Sequence, residues 1–341
     1  MPRIPAHPSP LALSLASLLT MGCAETVGVR VLRPAEINMR GISKIAVGEI
    51  SGPGGQELSS ELTTALMGTG RYEVLDRQNL DKVMAEQQLS GSSIADPETA
   101  IKTGKVLGAS AAIFGTVTRH DYLEAPIKKE TFEVKDSDGK KQYMARYMRS
   151  GSAKVNVSLR VTDLSTGKIL ASKTYSEEKS EQTQKEVPAG TDPREAEPDP
   201  IDGTSSLAAA RATIIERFSK AIAPYYETLS LPFETTGDLP ELEQGVAQAK
   251  ANAWPKAIQL FQAAATKSQS LPPKKQAYAH LDLGMALCFG VGDFDNGLSE
   301  IRIATSLKSD SDWENVASMC QGRKNDAARL AAQGVTDGGS P

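Results

Sequence analysis

Residues 153–162 alternate without a break. Ala153, Val155, Val157, Leu159 and Val161 are apolar, and Lys154, Asn156, Ser158, Arg160 and Thr162 are polar. Period two over this length predicts a strand with one buried and one wet face. Residues 163–168 read as a turn, and 169–175 return as the partner strand. Upstream, Ile42, Ile45, Val47 and Ile50 mark a compact apolar strand, broken by Ser51-Gly52-Pro53-Gly54-Gly55. Leu58, Leu62, Ala65 and Leu66 then follow helical spacing until Gly68-Thr69-Gly70. A strand at 72–75 leads to Asp76, an N-cap for a helix carrying Leu80, Val83, Met84 and Leu89. Asp96-Pro97 opens another helix that stops at Gly108, and 111–117 reads as a buried strand. The order β-α-β-α-α-β predicts an α/β layer.

Residues 177–204 break the pattern, with nine acids, three bases, four prolines and almost no large apolar residue. Such a segment buries too little surface to order itself and is expected to be a mobile loop. Leu207, Ile214, Ile215, Phe218 and Ile222 mark a helix that Pro224 kinks or ends, and Pro232 is expected to close the domain. The remainder reads as all-helical with a loose repeat. Gly245, Ala257, Phe261 and Ala264 recur as Gly284, Gly297, Ile301 and Ala304, one residue longer in the middle. Small residues at these offsets let two helices approach while Phe261 or Ile301 fills the space between them. The pattern resembles tetratricopeptide repeats, with residues 313–332 as a capping helix. That resemblance implies a groove for a protein partner, for which the first helices supply exposed polar candidates: Gln248, Asn252 and Asp282.

The N-terminus carries a separate signal. A head with Arg3 precedes an apolar run from Leu11 to Leu19 and then Gly22-Cys23-Ala24. The run has the length of a signal-peptide core and is short for a membrane span. Its end resembles the lipobox of bacterial lipoproteins, which implies lipidation of Cys23 as the mature N-terminus. Ala24 in the next position fits release to the outer membrane, and a secretory signal cut near Ala24 is the alternative. No later segment approaches a transmembrane helix. Net charge is −4, so no electrostatic footprint for nucleic acid exists. Aromatic residues are 5% of the chain, too few to favour a carbohydrate- or base-stacking surface. Cys288 and Cys320 could pair in an oxidising compartment, but both lie in helical patterns beside apolar neighbours, where a buried free thiol is the expected state.

Three segments resemble the CsgG-like curli-secretion family. Residues 64–80 (Thr-Ala-Leu-Met-Gly-Thr-Gly-Arg-Tyr-Glu-Val-Leu-Asp-Arg-Gln-Asn-Leu) look like its helix–strand–helix signature, and 107–117 like its next strand. Residues 155–170 resemble its β-hairpin with the Ser165-Thr166-Gly167 turn. The resemblance implies an α/β (α+β) periplasmic domain at the outer membrane. In channel-forming members it also implies a ring in which each subunit gives two hairpins to a β-barrel. This sequence departs at both hairpins. Residues 126–150 are dense in lysine, arginine, aspartate and glutamate, and Phe132 and Val134 opposite Tyr143, Ala145 and Tyr147 make only a narrow apolar face. A lipid-facing band about 25 Å tall needs roughly ten alternating residues per strand. The second hairpin falls on the acidic 177–204 segment, which cannot sit in hydrocarbon.

Candidate chemistry is sparse. Gly52-Pro53-Gly54-Gly55 lacks the Gly-Lys-Ser/Thr ending of a phosphate loop and reads as a turn. His120 and His280 fall in different predicted domains, His120-Asp121 begins a loop as a solvated pair, and Asp76-Arg77 reads as a cap with an ion pair. No zinc or nucleophile spacing appears. Catalytic, cofactor-binding and metal-ligating residues are therefore all expected to be none. The expected organisation is a signal peptide at 1–22, a lipidated tether at 23–41, a CsgG-like domain at 42–232, tetratricopeptide-like helices at 238–334 and a tail at 335–341. The expected role is a non-enzymatic interaction or assembly factor in secretion or envelope biogenesis. It would be anchored through Cys23 to the periplasmic face of the outer membrane, with a protein partner and homo-oligomerisation. The alternatives are an oligomeric secretion channel and a lipoprotein activator of a peptidoglycan synthase.

Overall fold

The computed structural model describes residues 23–75, 97–108, 110–135 and 137–335. The expected helix with Leu80 and Val83, and the Asp76-Arg77 cap, lie outside them. The chain divides into two units. One comprises Leu32–Tyr225 with Arg329–Thr336, and the other the residues up to Val31 with Tyr226–Ala328.

The first unit is the expected α/β layer. A five-stranded sheet has the order β3-β2-β4-β5-β6, from β2 (Lys44–Ser51), β3 (Glu73–Leu75), β4 (Ala111–Lys135), β5 (Lys141–Asp163) and β6 (Ile169–Pro188). β2 runs parallel to β3 and β4, whereas β4, β5 and β6 are antiparallel. Alternation in β5 places Val155, Val157, Leu159 and Val161 in one core with Ile45, Val47 and Ile113. Two helices cover this face: α1 (Gly55–Gly68) through Leu58, Leu62 and Leu66, and α3 (Gly203–Ile222) through Ile214, Phe218 and Ile222. Asp202 caps α3 by accepting from the Thr204 amide, a favoured N-cap arrangement. Behind the sheet, Ala46, Ala112 and Phe114 meet Ala100 of α2 (Pro97–Leu107) and Leu164. Burial raises the Tyr72 phenol to about 12, and its hydroxyl donates to the Ile222 carbonyl. The Gln333 side-chain amide pairs both ways with the Ala35 backbone, at 2.8 and 3.2 Å.

The second unit contains α4 (Pro240–Lys250), α5 (Trp254–Ser268), α6 (Pro273–Met285), α7 (Phe294–Leu307) and α8 (Ser311–Ala332), which continues into the first unit from Arg329. The repeated small residues sit where two helices touch. A Cβ on Gly245 would lie 2.4 Å from the Phe261 ring, and one on Gly284 2.6 Å from Ile301. The extra residue in the second copy coincides with a π-helical turn, Ala286–Val291. Such turns absorb a single inserted residue.

Several expectations are corrected. Residues 23–41 are not a bare tether, because Cys23–Arg33 is strand β1 and its Val27, Val29 and Val31 enter the helical core. β1 pairs with β7 (Tyr225–Thr235), so Pro232 lies inside a strand and the unit boundary falls at Tyr225. In a two-stranded sheet every strand has an open edge, where proline's missing N–H is tolerated. Residues 177–188 continue β6 and are not a loop. Cys288 and Cys320 form a disulfide with Cα atoms 5.7 Å apart, because the helices carrying them bring the two positions together.

The disulfide spans 32 residues. Reducing it should lower the stability of the helical unit by about 3–4 kcal/mol on loop-closure grounds. Denaturant unfolding with and without reductant checks this, and the Cys288→Ser/Cys320→Ser variant should become insensitive to reductant.

Candidate functional site

β2 pairs with β4 only as far as Ser51–Thr116. Beyond that point β4, β5 and β6 run on as a three-stranded ribbon. β4 pairs with β5 to Lys135–Lys141, and β6 pairs with β5 to Met144–Pro188. Among the described residues, neither the outer edge of β4 in the ribbon nor that of β6 carries another strand. Residues 126–150, expected as a hairpin, form its tip.

The ribbon is held by polar contacts along one face. Ser158 meets Thr174 at 2.9 Å, and Asn156 accepts from Ser176 at 2.7 Å. Glu178 takes Ser152 at 2.5 Å and Lys154 at 3.2 Å, and Arg146 pairs with Glu186 at 2.7 Å. Of the acidic residues that disguise β6 as a loop, Glu178 and Glu186 thus pair with β5, while Glu177 meets Lys179 and Arg217 and Glu181 accepts from Ser206. On the other face, Ala196 from the segment after β6 packs on Ala145, Tyr147 and Val187. Arg149 bonds Glu124 and Glu197 and reaches the Pro198 carbonyl at 3.4 Å. Lys185 donates to the Glu195 carbonyl at 2.7 Å, and Thr183 to that of Asp199 at 2.6 Å. This segment is tied down by hydrogen bonds and ion pairs where apolar burial is small, so the mobile-loop expectation fails here too.

At the ribbon's base, His120 lies within β4 and not at the start of a loop. Its Nε2 accepts from Arg211 Nη1 at 2.9 Å, and Arg211 forks onto Glu61 at 2.8–3.2 Å. Asp121, adjacent in the strand, faces the opposite side and takes Arg119 at 2.7 Å. The two side chains therefore do not pair with each other. Gly54, at φ 73°, leaves room for the imidazole, since a Cβ there would lie 2.7 Å from the ring. The glycine turn serves packing. α1 and α3 also border an open apolar groove of about 600 Å³ lined by Ala65, Ala208, Ala212, Ile215 and Ala223.

The three proposed groove residues are not brought together as one exposed surface. Gln248 is half-buried on α4, and Asn252 follows it at φ 57° with its Oδ1 accepting from Trp254 Nε1 at 2.6 Å. Asp282 is fully buried. Its Oδ1 accepts from the Glu234 amide at 3.0 Å, and its Oδ2 has no partner. Burial pushes this carboxyl well above the usual carboxylate range and raises Glu234 as well. The sequence held a clue, because Ala277-Tyr278-Ala279 and Leu281 to Ala286 are apolar on every side of Asp282 apart from His280, the mark of an all-round buried helix. Cys23 is the first residue of β1. The described residues contain no group of three or more potential metal ligands and no helix long and apolar enough to cross a membrane.

The profile of the curli production assembly/transport component CsgG matches residues 13–192, just over half of the chain. The chain belongs to the CsgG family. The match takes in β1, the α/β sheet and the ribbon, and it stops before α3 and the helices of the second unit. No curated protein matches the chain. Among solved structures, the lipoprotein GNA1162 of Neisseria meningitidis is 14% identical, with 52% of this chain and 98% of that one covered and a TM-score of 0.30. A PelC dodecamer from Paraburkholderia phytofirmans is 16% identical, covering 58% and 99%, at a TM-score of 0.28. The LpoB C-terminal domain from Salmonella enterica is 12% identical, covering 41% and 86%, at 0.25.

Two outcomes are expected. Arg149→Ala should release residues 189–202, seen as faster tryptic cleavage after Arg194 while the sheet core stays protected. Asp282 ionises more readily unfolded than folded, so stability is fully present below about pH 4 and falls as pH rises toward the raised native value. Asp282→Asn should flatten that decline in denaturant melts across this range.

Proposed function

We propose that this CsgG-family chain is a non-enzymatic assembly or secretion factor of the bacterial envelope, working as a homo-oligomer. In this reading Cys23 carries the lipid that holds it on the periplasmic face of the outer membrane. The tetratricopeptide-like helices then recruit a protein partner.

The ribbon carries this reading. Its two edges are open and differ: along 117–135 β4 carries four basic and four acidic side chains, whereas along 176–188 β6 carries two basic and four acidic. An unpaired edge is a template for another strand, and two unlike edges favour head-to-tail contact between copies. Family membership supports the envelope role.

A secretion channel is the second reading, favoured by strand length. β4 has 25 residues and β5 has 23, longer than a membrane strand requires. Lys128, Lys129, Glu130 and Glu133 interrupt any apolar band on β4, which weighs against it.

Light scattering of the lipidated protein in mild detergent tests the proposal. An oligomer that carbodiimide traps as a ladder, and that Lys128→Gln/Lys129→Gln weakens, is the expected result; a monomer at all concentrations would overturn it. Ion conductance across a planar bilayer would move the conclusion to the channel.

A further inference from the structure

We infer that Asp282 is a proton-operated latch, which holds the end of β7 on α6 while its carboxyl keeps a proton and lets go locally when the proton leaves. The device is independent of what the helices recruit. Asp282 is fully buried on α6. Its Oδ1 accepts from the Glu234 amide of β7 at 3.0 Å, and its Oδ2 has no partner. No ion pair among the described residues reaches Asp282. On its own helix, His280 goes to Glu300 of α7 at 2.6 Å, Lys275 to Asp238, and Lys274 sits 5.7 Å over the Tyr278 ring. Lys267 of α5 is held by Glu241 of α4. Between α7 and α8, Lys308 pairs with Asp310 and lies 4.2 Å over Trp313 of α8. From β7 comes a second acid, the half-buried Glu234, with Lys308, Asp310 and Lys274 around it.

A carboxylate in this position would have one donor, a dry second oxygen and an acid beside it. Each of these disfavours the charge, so the closed joint keeps the proton. Burial and the Glu234 charge hold Asp282 above the usual carboxylate range, and burial raises Glu234 too. The route by which water reaches Asp282 is short. Glu234 and Thr235 are only half-buried, and lifting them breaks the 3.0 Å bond and wets Oδ2. Phe233, one residue earlier, is buried and stacked on Phe261 at 5.6 Å, which confines the opening to the end of the strand. Acid therefore closes the joint and rising pH opens it.

Native-state amide exchange of the full chain, read by mass spectrometry on overlapping peptides that isolate Glu234, tests the latch. Opening releases one proton, so the open fraction should rise about tenfold per pH unit between the ordinary carboxylate range and the raised native value. After correction for the intrinsic rate, protection at Glu234 should fall by that factor. Glu234 should also exchange faster than amides within α5 and α6 and without response to low denaturant, the mark of a small opening. Asp282→Asn keeps an acceptor for the amide and should make this protection independent of pH. Glu234→Gln should keep the dependence but end it at lower pH, because the facing acid is gone; it carries the test if the first variant does not fold. Exchange of Glu234 in the same denaturant-sensitive step as the helices, protection that does not change with pH, or an Asp282→Asn variant that retains the slope would overturn the inference.

Discussion

Backbone pairing on both sides of β5 is the constraint on which the α/β unit depends. The same strand runs from a core of Val155, Val157, Leu159 and Val161 into a ribbon where its inner residues are Ala145 and Tyr147. Pairing with β6 continues across that change of environment without a break, and pairing with β4 resumes after one register shift between Ala125 and Lys128, opposite Arg149. Hydrophobic burial therefore stabilises one end, and backbone pairing with cross-strand ion pairs the other. The ribbon has no core of comparable size, and its rigidity is inherited from the anchored base.

That division explains what could be read from the sequence. Period-two alternation at 153–162 is strong because one face meets α1 and α3, so burial enforces it. The β-α-β order and the helix faces of Leu58, Leu62, Ile214 and Phe218 were legible for the same reason. Residues 177–188 were not, since no face of that stretch meets a sizeable core. Its partners, Arg146 and Lys154 on β5, lie 24 or more residues away, and sequence alone does not couple them. β1 was missed because its valines are buried by helices that come some two hundred residues later.

The helical unit shows a related limit. The Gly245–Phe261 and Gly284–Ile301 offsets were visible because small and large residues must interdigitate wherever two helices touch. The Cys288–Cys320 bond and the interior position of Asp282 depend on which helices become neighbours. Asp282 is also costly in place, as an acid held neutral by its surroundings with one oxygen unpaired. Its one hydrogen bond, from the Glu234 amide, ties α6 to β7.

β1 changes what an anchor at Cys23 would mean mechanically. The strand starts at that residue, and Val27, four positions on, is already fixed in the helical core. At about 3.3 Å per residue, that leaves some 13 Å between an acylated thiol and packed protein. A long unstructured leash would let a domain sample a wide shell of the periplasm and would decouple it from membrane motion. Here the slack is close to nil. An acyl chain on Cys23 would hold the helical unit flush with the leaflet, restrict its tumbling, and confine whatever it recruits to a thin layer beside the membrane.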